Sequence, residues 1–379
     1  MAAEAALLNF DLSKYQYFEK YKSKPSPLKL LKMETKKQSF NSLHNMYAGS
    51  LKSFVKQLFI VVLLTFTMQN AVAQNTKYSK KELSDEALVK MLPGFKNGTA
   101  TVNGIKIHYV AGGHGKPLVL LPGWPQTWWS YHKIMPELAK NYYVIAVDIR
   151  GMGSSDRPQT GYDKKTMAKD VAELVHSLGF EKAFIAGHDI GAQVAFSVAA
   201  NHPDITEKLI IMDVPHPDDS FASTLMLPAV DTPTDKLDPA KPYLWWFAFN
   251  QVNGMPEEIL LGRIAAFQKY VFNYLLFDES ALSSFDRAVY AAAYDSRDGI
   301  RAGNGWYKAF PQDILDYKDY AKLQMPVLAI GGPGYNWLQY VMPAKTTNLK
   351  VVKAEGSGHF VAEEKPQIVI DYIKGFLNQ

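Results

Sequence analysis

Short apolar runs and helical periodicities alternate along the chain from about residue 99 onward. Thr99–Val102 and Ile105–Val110 flank Asn103-Gly104, the dipeptide that most favours a two-residue hairpin turn. Leu118–Leu121 is an unbroken apolar run, as expected of a strand covered on both faces. Tyr143–Val147, Ala183–Ala186 and Lys208–Met212 read as further strands. Lys164–Leu178 places Met167, Val171, Leu174 and Leu178 on one side of a helix, and a second helix opens at Gln193–Phe196. Pro326–Ile330 and Leu349–Val352 are late strands, and Gln367–Leu377 forms a closing helix. Ahead of this series, residues 74–98 form a polar lead whose pattern admits one helix over Glu82–Met91.

Between 218 and 319 the alternation stops. A Pro/Asp-rich loop, Leu227–Pro242, precedes helix formers and aromatic residues that include Tyr243, Trp245, Trp246, Phe247, Phe249, Phe267 and Tyr270. We read a helical cap inserted after the sixth strand; further core helices are the alternative. The order of elements predicts an α/β fold, a mostly parallel sheet with helices on both faces. The core is then split into 99–217 and 320–379 around a cap at 218–319, with no internal repeat.

The N-terminal region has a different pattern. Lys52 and Lys56 precede the apolar run Leu58–Leu64, and Ala71-Val72-Ala73 follows. A positive start, a short apolar stretch and a small-residue site are the parts of a signal peptide. The run is shorter than the ~18 residues a membrane span requires. We therefore expect a signal peptide over 46–73, cleavage near Ala73, no membrane anchor in the mature form, and a secreted or periplasmic enzyme. Residues 1–45 are then a leader or a mis-started extension.

Composition narrows the chemistry further. The formal charge is +4, and its basic excess falls in the N-terminal lysines, so no nucleic-acid footprint is expected. With no cysteine in the chain, a thiol nucleophile, a Cys-held metal and disulfides are excluded. No histidine-carboxylate cluster has metal-ligand spacing and no loop has the form of a phosphate cradle, so neither a metal nor a cofactor is implied.

The most informative segment is Gly187-His188-Asp189-Ile190-Gly191-Ala192, between an apolar strand and a helix. Small residues around one reactive side chain on a tight strand-to-helix turn describe a nucleophile elbow. Its occupant here is Asp189, a carboxylate suited to attacking a saturated carbon. A surface Asp on an ordinary Gly-rich turn is the plainer alternative.

Four further segments accompany it: Pro122-Gly123-Trp124-Pro125, Asp148-Ile149-Arg150-Gly151-Met152-Gly153-Ser154-Ser155, Met212-Asp213-Val214-Pro215 and Gly356-Ser357-Gly358-His359-Phe360. Together, and in this order, they make the chain from Val102 to Leu377 resemble the α/β-hydrolase superfamily. The resemblance is strongest to its epoxide hydrolase and dehalogenase branch, with an Asp nucleophile, and to secreted epoxide hydrolases with the acid after strand six. Pro122 departs from the His-Gly-x-Pro usual there. The resemblance implies an oxyanion hole from the N–H groups of Trp124 and Ile190, and a cis bond before Pro125. It implies His359 as base; this is also the only histidine after His216. His188 and His216 are assigned to packing or hydrogen bonding. The loop Gly331–Asn336 contains no acid, so Asp213 is the partner expected for His359, with Asn336 as the weaker alternative. Tyr307 and Trp246 align with the cap donors that stabilise the leaving atom.

These residues imply a hydrolase that opens an epoxide through an ester on Asp189 and releases a diol. An indole N–H donates a hydrogen bond but cannot deliver a proton. Trp246 therefore keeps open a second reading, dehalogenation of a neutral alkyl halide. A binding protein that has kept the fold and lost turnover is a third. The aromatic cap, with Trp124, Trp128 and Trp129 expected near the mouth, points to a small apolar substrate.

Overall fold

The computed structural model of the chain describes residues 77–379, apart from Leu225. The expected leader and signal segment lie outside the described residues. The sheet has eight strands in the order β1-β2-β4-β3-β5-β6-β7-β8. These are β1 Phe95–Val102, β2 Ile105–Gly113, β3 Lys116–Leu121, β4 Tyr142–Asp148, β5 Ala183–His188, β6 Thr206–Met212, β7 Val327–Gly331 and β8 Leu349–Lys353. β2 runs antiparallel to β1 and β4, and every other pairing is parallel. β3 is buried from Pro117 onward and β5 along its whole length. Because successive side chains point to opposite faces, such strands must be covered on both sides. Helices at Lys164–Ser177, Ile190–Asn201 and Pro366–Leu377 contribute the covering layers.

The hairpin turn is as the dipeptide predicts, with φ of 46° at Asn103 and 78° at Gly104. β1 begins four residues before the apolar alternation, because Phe95–Gly98 continue to pair opposite Tyr109–Gly112. On this edge strand Lys96 and Asn97 face solvent, so hydrophobic pattern carries no signal there. The helix in the polar lead is shorter than read, Asp85–Val89, and is capped by Ser84. A helix at Tyr335–Val341 was not expected; it buries only Leu338 and Val341 and follows directly on a Gly/Pro-rich loop.

Between β6 and β7 stand the helices Asp219–Ala222, Trp246–Gln251, Met255–Leu260, Ile264–Leu275, Ser284–Tyr294, Arg297–Lys308 and Phe310–Asp319. Leu227–Pro242 has no helix or strand, in agreement with its turn-forming composition. Among the described residues no helix is long and apolar enough to cross a membrane.

One buried acid ties together the loops at the carboxyl ends of β3 and β4. Asp148, at the end of β4, accepts the Trp128 N–H at 2.9 Å on Oδ1 and the Ser154 N–H at 3.2 Å on Oδ2. His108 Nδ1 lies 2.8 Å from the same Oδ2. Asp148 therefore ties the loop after β3, which carries Trp124, to the Gly151–Ser154 turn after β4. Asp85, His108 and Asp148 are close enough to surround a cation. Their atoms are engaged with each other and with protein donors: Asp85 accepts Trp128 Nε1–H at 2.7 Å and the Ser154 hydroxyl.

Asp148→Ala would orphan the buried Trp128 N–H and the His108 Nδ1 and release the Ser154 N–H. A stability loss of about 3 kcal/mol is expected, as for other buried polar networks that lose their central acceptor. Urea unfolding measures it as a lower midpoint at unchanged slope; an unaltered midpoint would contradict the role given to Asp148.

Candidate active site

Asp189 sits between β5 and the helix Ile190–Asn201 with φ 53° and ψ −122°, a conformation sparsely populated by non-glycine residues. Such a turn requires very close backbone packing. A Cβ on Gly187 would lie 2.1 Å from the Gly191 carbonyl oxygen, and one on Gly191 would lie 2.0 Å from that of Leu121. The glycines flanking the elbow are thus needed for clearance. The strained turn lifts the Asp189 carboxylate out of the strand end and into the loop after β3. There the Trp124 N–H donates to Oδ1 at 2.9 Å. The Ile190 N–H acts on the same carboxylate, and both amides favour its charged form. The bond from Trp124 to Pro125 is cis.

His359 follows β8 on the loop 354–360, and its own N–H is held by the Leu275 carbonyl of the cap at 3.0 Å. Its Nδ1 lies 2.7 Å from Asp213 Oδ2, and its Nε2 lies 3.7 Å from Asp189 Oδ2. A carboxylate can only accept, so the Asp213 contact places the ring proton on Nδ1 and turns the Nε2 lone pair towards Asp189. The Nε2 distance is too long for a direct hydrogen bond. His188, beneath this pair, has Nε2 2.8 Å from the His359 carbonyl oxygen. Burial pulls the His188 pKa well below its ordinary value, so its neutral ring serves as a donor there. His216 is likewise buried, packs against Tyr317 and has its pKa pushed down to about 3. Both histidines occupy the supporting roles expected of them.

Asp213 stands at the end of β6 with φ 64°. Its Oδ1 accepts the N–H groups of Gly332 and Gly334 at 2.7 and 2.8 Å. The sequence does not mark these two residues, because the loop after β7 carries no acid and a main-chain amide has no residue type of its own. The loop supplies two main-chain donors to an acid on the neighbouring strand. A Cβ on Gly334 would meet the Asp213 carbonyl oxygen at 1.8 Å, so the approach is open to glycine alone. The signal present in the sequence was the density of glycine in Gly331-Gly332-Pro333-Gly334. Asn336 lines the cavity but is not the partner of His359.

These groups open onto a cavity of about 390 Å³ between the sheet ends and the cap. Asp189, His359 and Trp124 form its floor, and Trp246, Phe247 and Tyr307 belong to its cap side. Tyr307 is 1% exposed; its ring meets Trp124 edge-on at 5.5 Å and packs on Phe310 at 5.2 Å. Ser296 caps the helix that carries Tyr307, accepting the Gly299 N–H at 2.9 Å. Trp246 lies in the first turn of the helix Trp246–Gln251, edge-on to Tyr274 at 5.8 Å.

The expectation for Trp128 and Trp129 is corrected. Both are buried outside the cavity in a short 3-10 turn, where their indole N–H groups bind Asp85 and Asp286 at 2.7 and 2.9 Å. Asp286 belongs to the cap, so Trp129 fastens cap to core and does not line the mouth. Sequence could not separate these tryptophans from Trp124, because all three fall on one loop after β3.

The electrostatics follow from burial and neighbours. Burial raises the Asp189 pKa, and this outweighs the opposing effects of His359 and the Ile190 and Trp124 amides. Burial alone would lower that of His359, but the hydrogen bond and charge of Asp213, with the charge of Asp189, raise it above the ordinary value. Burial, reinforced by the Asp189 charge, raises the Tyr307 phenol well above its usual range, while the Trp246 side chain works against this. A carboxylate in an amide pocket, an oriented imidazole and a phenol that keeps its proton thus surround one cavity.

Comparison with known proteins gives the family. Residues 116–366 match the family described as alpha/beta hydrolase fold. A soluble epoxide hydrolase from a Corynebacterium species is 38% identical over 288 residues, covering 72% of this chain and 93% of that protein. A fluoroacetate dehalogenase from a Burkholderia species is 26% identical over 311 residues, covering 76% and 95%. Among solved structures, the unliganded epoxide hydrolase CorEH superposes with a TM-score of 0.66 at 33% identity, over 75% of this chain and 99% of that one. The chain belongs to the α/β-hydrolase fold family, as an enzyme akin to its epoxide hydrolases and dehalogenases.

Proposed function

We propose that the chain hydrolyses epoxides in two steps through an ester on Asp189. One observation carries the reading: the Asp189 carboxylate has Oδ1 in an amide pocket, while Oδ2 faces both the cavity and the His359 imidazole. In the first step Oδ2 attacks an epoxide carbon, the ring C–O bond breaks, and the alkoxide takes the phenolic proton of Tyr307, with Trp246 donating a hydrogen bond. In the second, His359 Nε2 removes a proton from water, and the water oxygen attacks the Asp189 carboxyl carbon. Negative charge develops on Oδ1 and is held by the Trp124 and Ile190 N–H groups. Collapse expels the diol with the original Oδ2, the imidazolium returns its proton to that leaving oxygen, and the proton that the water leaves on the Asp189 carboxyl group goes back to the Tyr307 phenolate, so both side chains are restored. The small cavity and its aromatic walls support a small apolar substrate. The N-terminal apolar run behind Lys52 and Lys56 supports export, with the mature enzyme secreted or periplasmic.

A second reading has its own support. The Trp246 indole N–H beside the cavity suits a departing halide, which needs donors but no proton. For a fluoroacetate-like substrate the side chains after the nucleophile are unsuitable: Ile190 and Gln193 are uncharged and buried, and neither can pair with a carboxylate. The reading is therefore restricted to neutral alkyl halides.

Three outcomes follow. A single turnover in heavy-oxygen water is expected to leave the heavy atom in Asp189, detected by peptide mass analysis; an unlabelled peptide would exclude the ester route. Tyr307→Phe should slow epoxide opening by about 100-fold, the scale of a lost general acid, and slow halide displacement far less. Equal losses on the two substrate classes would remove Tyr307 from the role of proton donor. The third concerns pH. The base must be neutral, so the hydrolytic step falls as pH drops through the His359 pKa of the ester form. Esterification removes the Asp189 charge that helps raise this pKa in the free enzyme. Asp189→Asn mimics that state, and NMR titration should find the His359 pKa lower than in the parent; an unchanged or higher value would refute the coupling.

A further inference from the structure

We propose that Lys164, a core residue with no contact to the cavity, is a positioning residue for Tyr307. The inference rests on the reading of Tyr307 as the proton donor and adds what holds it. Lys164 opens the helix Lys164–Ser177 and is 0% exposed. A lysine so placed requires partners for its charge, and all of those described here come from the cap. Its Nζ is 2.8 Å from Asp313 Oδ2, donates to the Trp306 carbonyl at 2.7 Å, and lies 4.7 Å from the centre of the Phe310 ring. Its own N–H donates to Asp313 Oδ1 at 2.8 Å, so Asp313 grips both ends of the residue.

Each contact borders Tyr307. Trp306 immediately precedes it in the chain, and the Phe310 ring packs against its ring at 5.2 Å. The helix Arg297–Lys308 ends two residues after Trp306, so the Trp306 carbonyl is among the last-turn acceptors that a helix leaves open. A cation at that end also complements the helix dipole. The Trp306 indole is separately held, donating to the Arg150 carbonyl at 2.9 Å. The last turn of the helix is thereby fixed at main chain and side chain from the core, and the direction of the phenol follows. A misplacement of the donor by a fraction of an ångström matters in proton delivery, where geometry sets the rate.

Lys164 has another possible route, since its charge also acts on Asp189. A double-mutant cycle separates the two. The pair variant Lys164→Met/Asp313→Asn removes both charges together, so no buried carboxylate is left alone, and keeps an oxygen for the Lys164 N–H. Single-turnover kinetics on an epoxide, with acid quenching and mass analysis of the Asp189 peptide, resolve ring opening from ester hydrolysis. The pair variant is expected to slow ring opening about tenfold. Ester hydrolysis should stay within about twofold, the scatter of uncoupled sites, and the effect on ring opening should vanish when Tyr307 is already Phe. A loss that persists undiminished in the Tyr307→Phe background, equal slowing of both steps, or unchanged ring opening would each overturn the proposal. If Tyr307→Phe itself leaves ring opening unaltered, the donor reading fails instead, and this inference falls with it. Should the pair variant not fold, Lys164→Gln/Asp313→Asn, which also removes both charges and whose shorter amide no longer reaches the Trp306 carbonyl, enters the same cycle with the same expectation.

Discussion

The site depends on one backbone constraint, a non-glycine residue held at positive φ where β5 turns into its helix. Such a conformation costs of order 1–3 kcal/mol and persists only where the surroundings enforce it. Here the enforcement is steric. Gly187, Gly191 and Gly123 are packed so closely that no side chain fits on the first two, and a Cβ on the third would strike Asp189 itself. The strain has a definite return. It carries the Asp189 carboxylate past the strand end and delivers Oδ1 to the Trp124 amide, while Oδ2 remains available to the cavity. Relaxing the turn would turn the carboxylate away from amide and imidazole together.

Electrostatics build on that placement. Two carboxylates flank one imidazole, but only Asp213 is in hydrogen-bond contact with it, and Asp213 is itself occupied by the amides of Gly332 and Gly334. The arrangement assigns the acids different work. Asp213, saturated with donors, orients the ring and favours its protonated form. Asp189, at 3.7 Å from Nε2, acts on the ring by charge alone. On the proposed mechanism that charge is present in the free enzyme and absent in the ester. The imidazole is thus most basic when no base is needed, and sheds that added basicity as the step requiring a neutral ring begins.

Much of this was legible in the sequence, for identifiable reasons. β3 and β5 announced themselves because burial on both faces demands unbroken apolar runs. Asp189, His359 and Asp213 stand at strand ends, where the alternation of elements fixes their positions, and the structure brings all three together. Residues whose contribution is a main-chain amide or an unmarked contact were harder to see. Gly332 and Gly334 act through N–H groups that every residue but proline possesses, and only close main-chain approaches, of the Gly358 carbonyl to the first and the Asp213 carbonyl to the second, make them glycine. Trp128 and Trp129 were misplaced because composition cannot tell an indole facing a cavity from one fastening a cap. Lys164 resembled an ordinary polar residue at a helix start; its ion pair with Asp313 spans 149 residues of sequence and is invisible until the cap is folded onto the core.

The cap donors bear on which leaving atom this site suits. An alkoxide is about as basic as hydroxide, far more basic than an ordinary phenolate. A buried phenol well above its ordinary pKa still gives its proton to such a base, and until then it stays protonated beside the Asp189 charge. The same burial that makes Tyr307 a poor acid in water therefore suits it to an oxygen that becomes strongly basic only as the ring opens. A halide ion offers no comparable basicity and uses Tyr307 only as a hydrogen-bond donor, in the same way as the Trp246 indole. The indole alone would serve either substrate. On the proposed mechanism it is the phenol, with Trp306 and Phe310 fixing it from the core, that favours the epoxide.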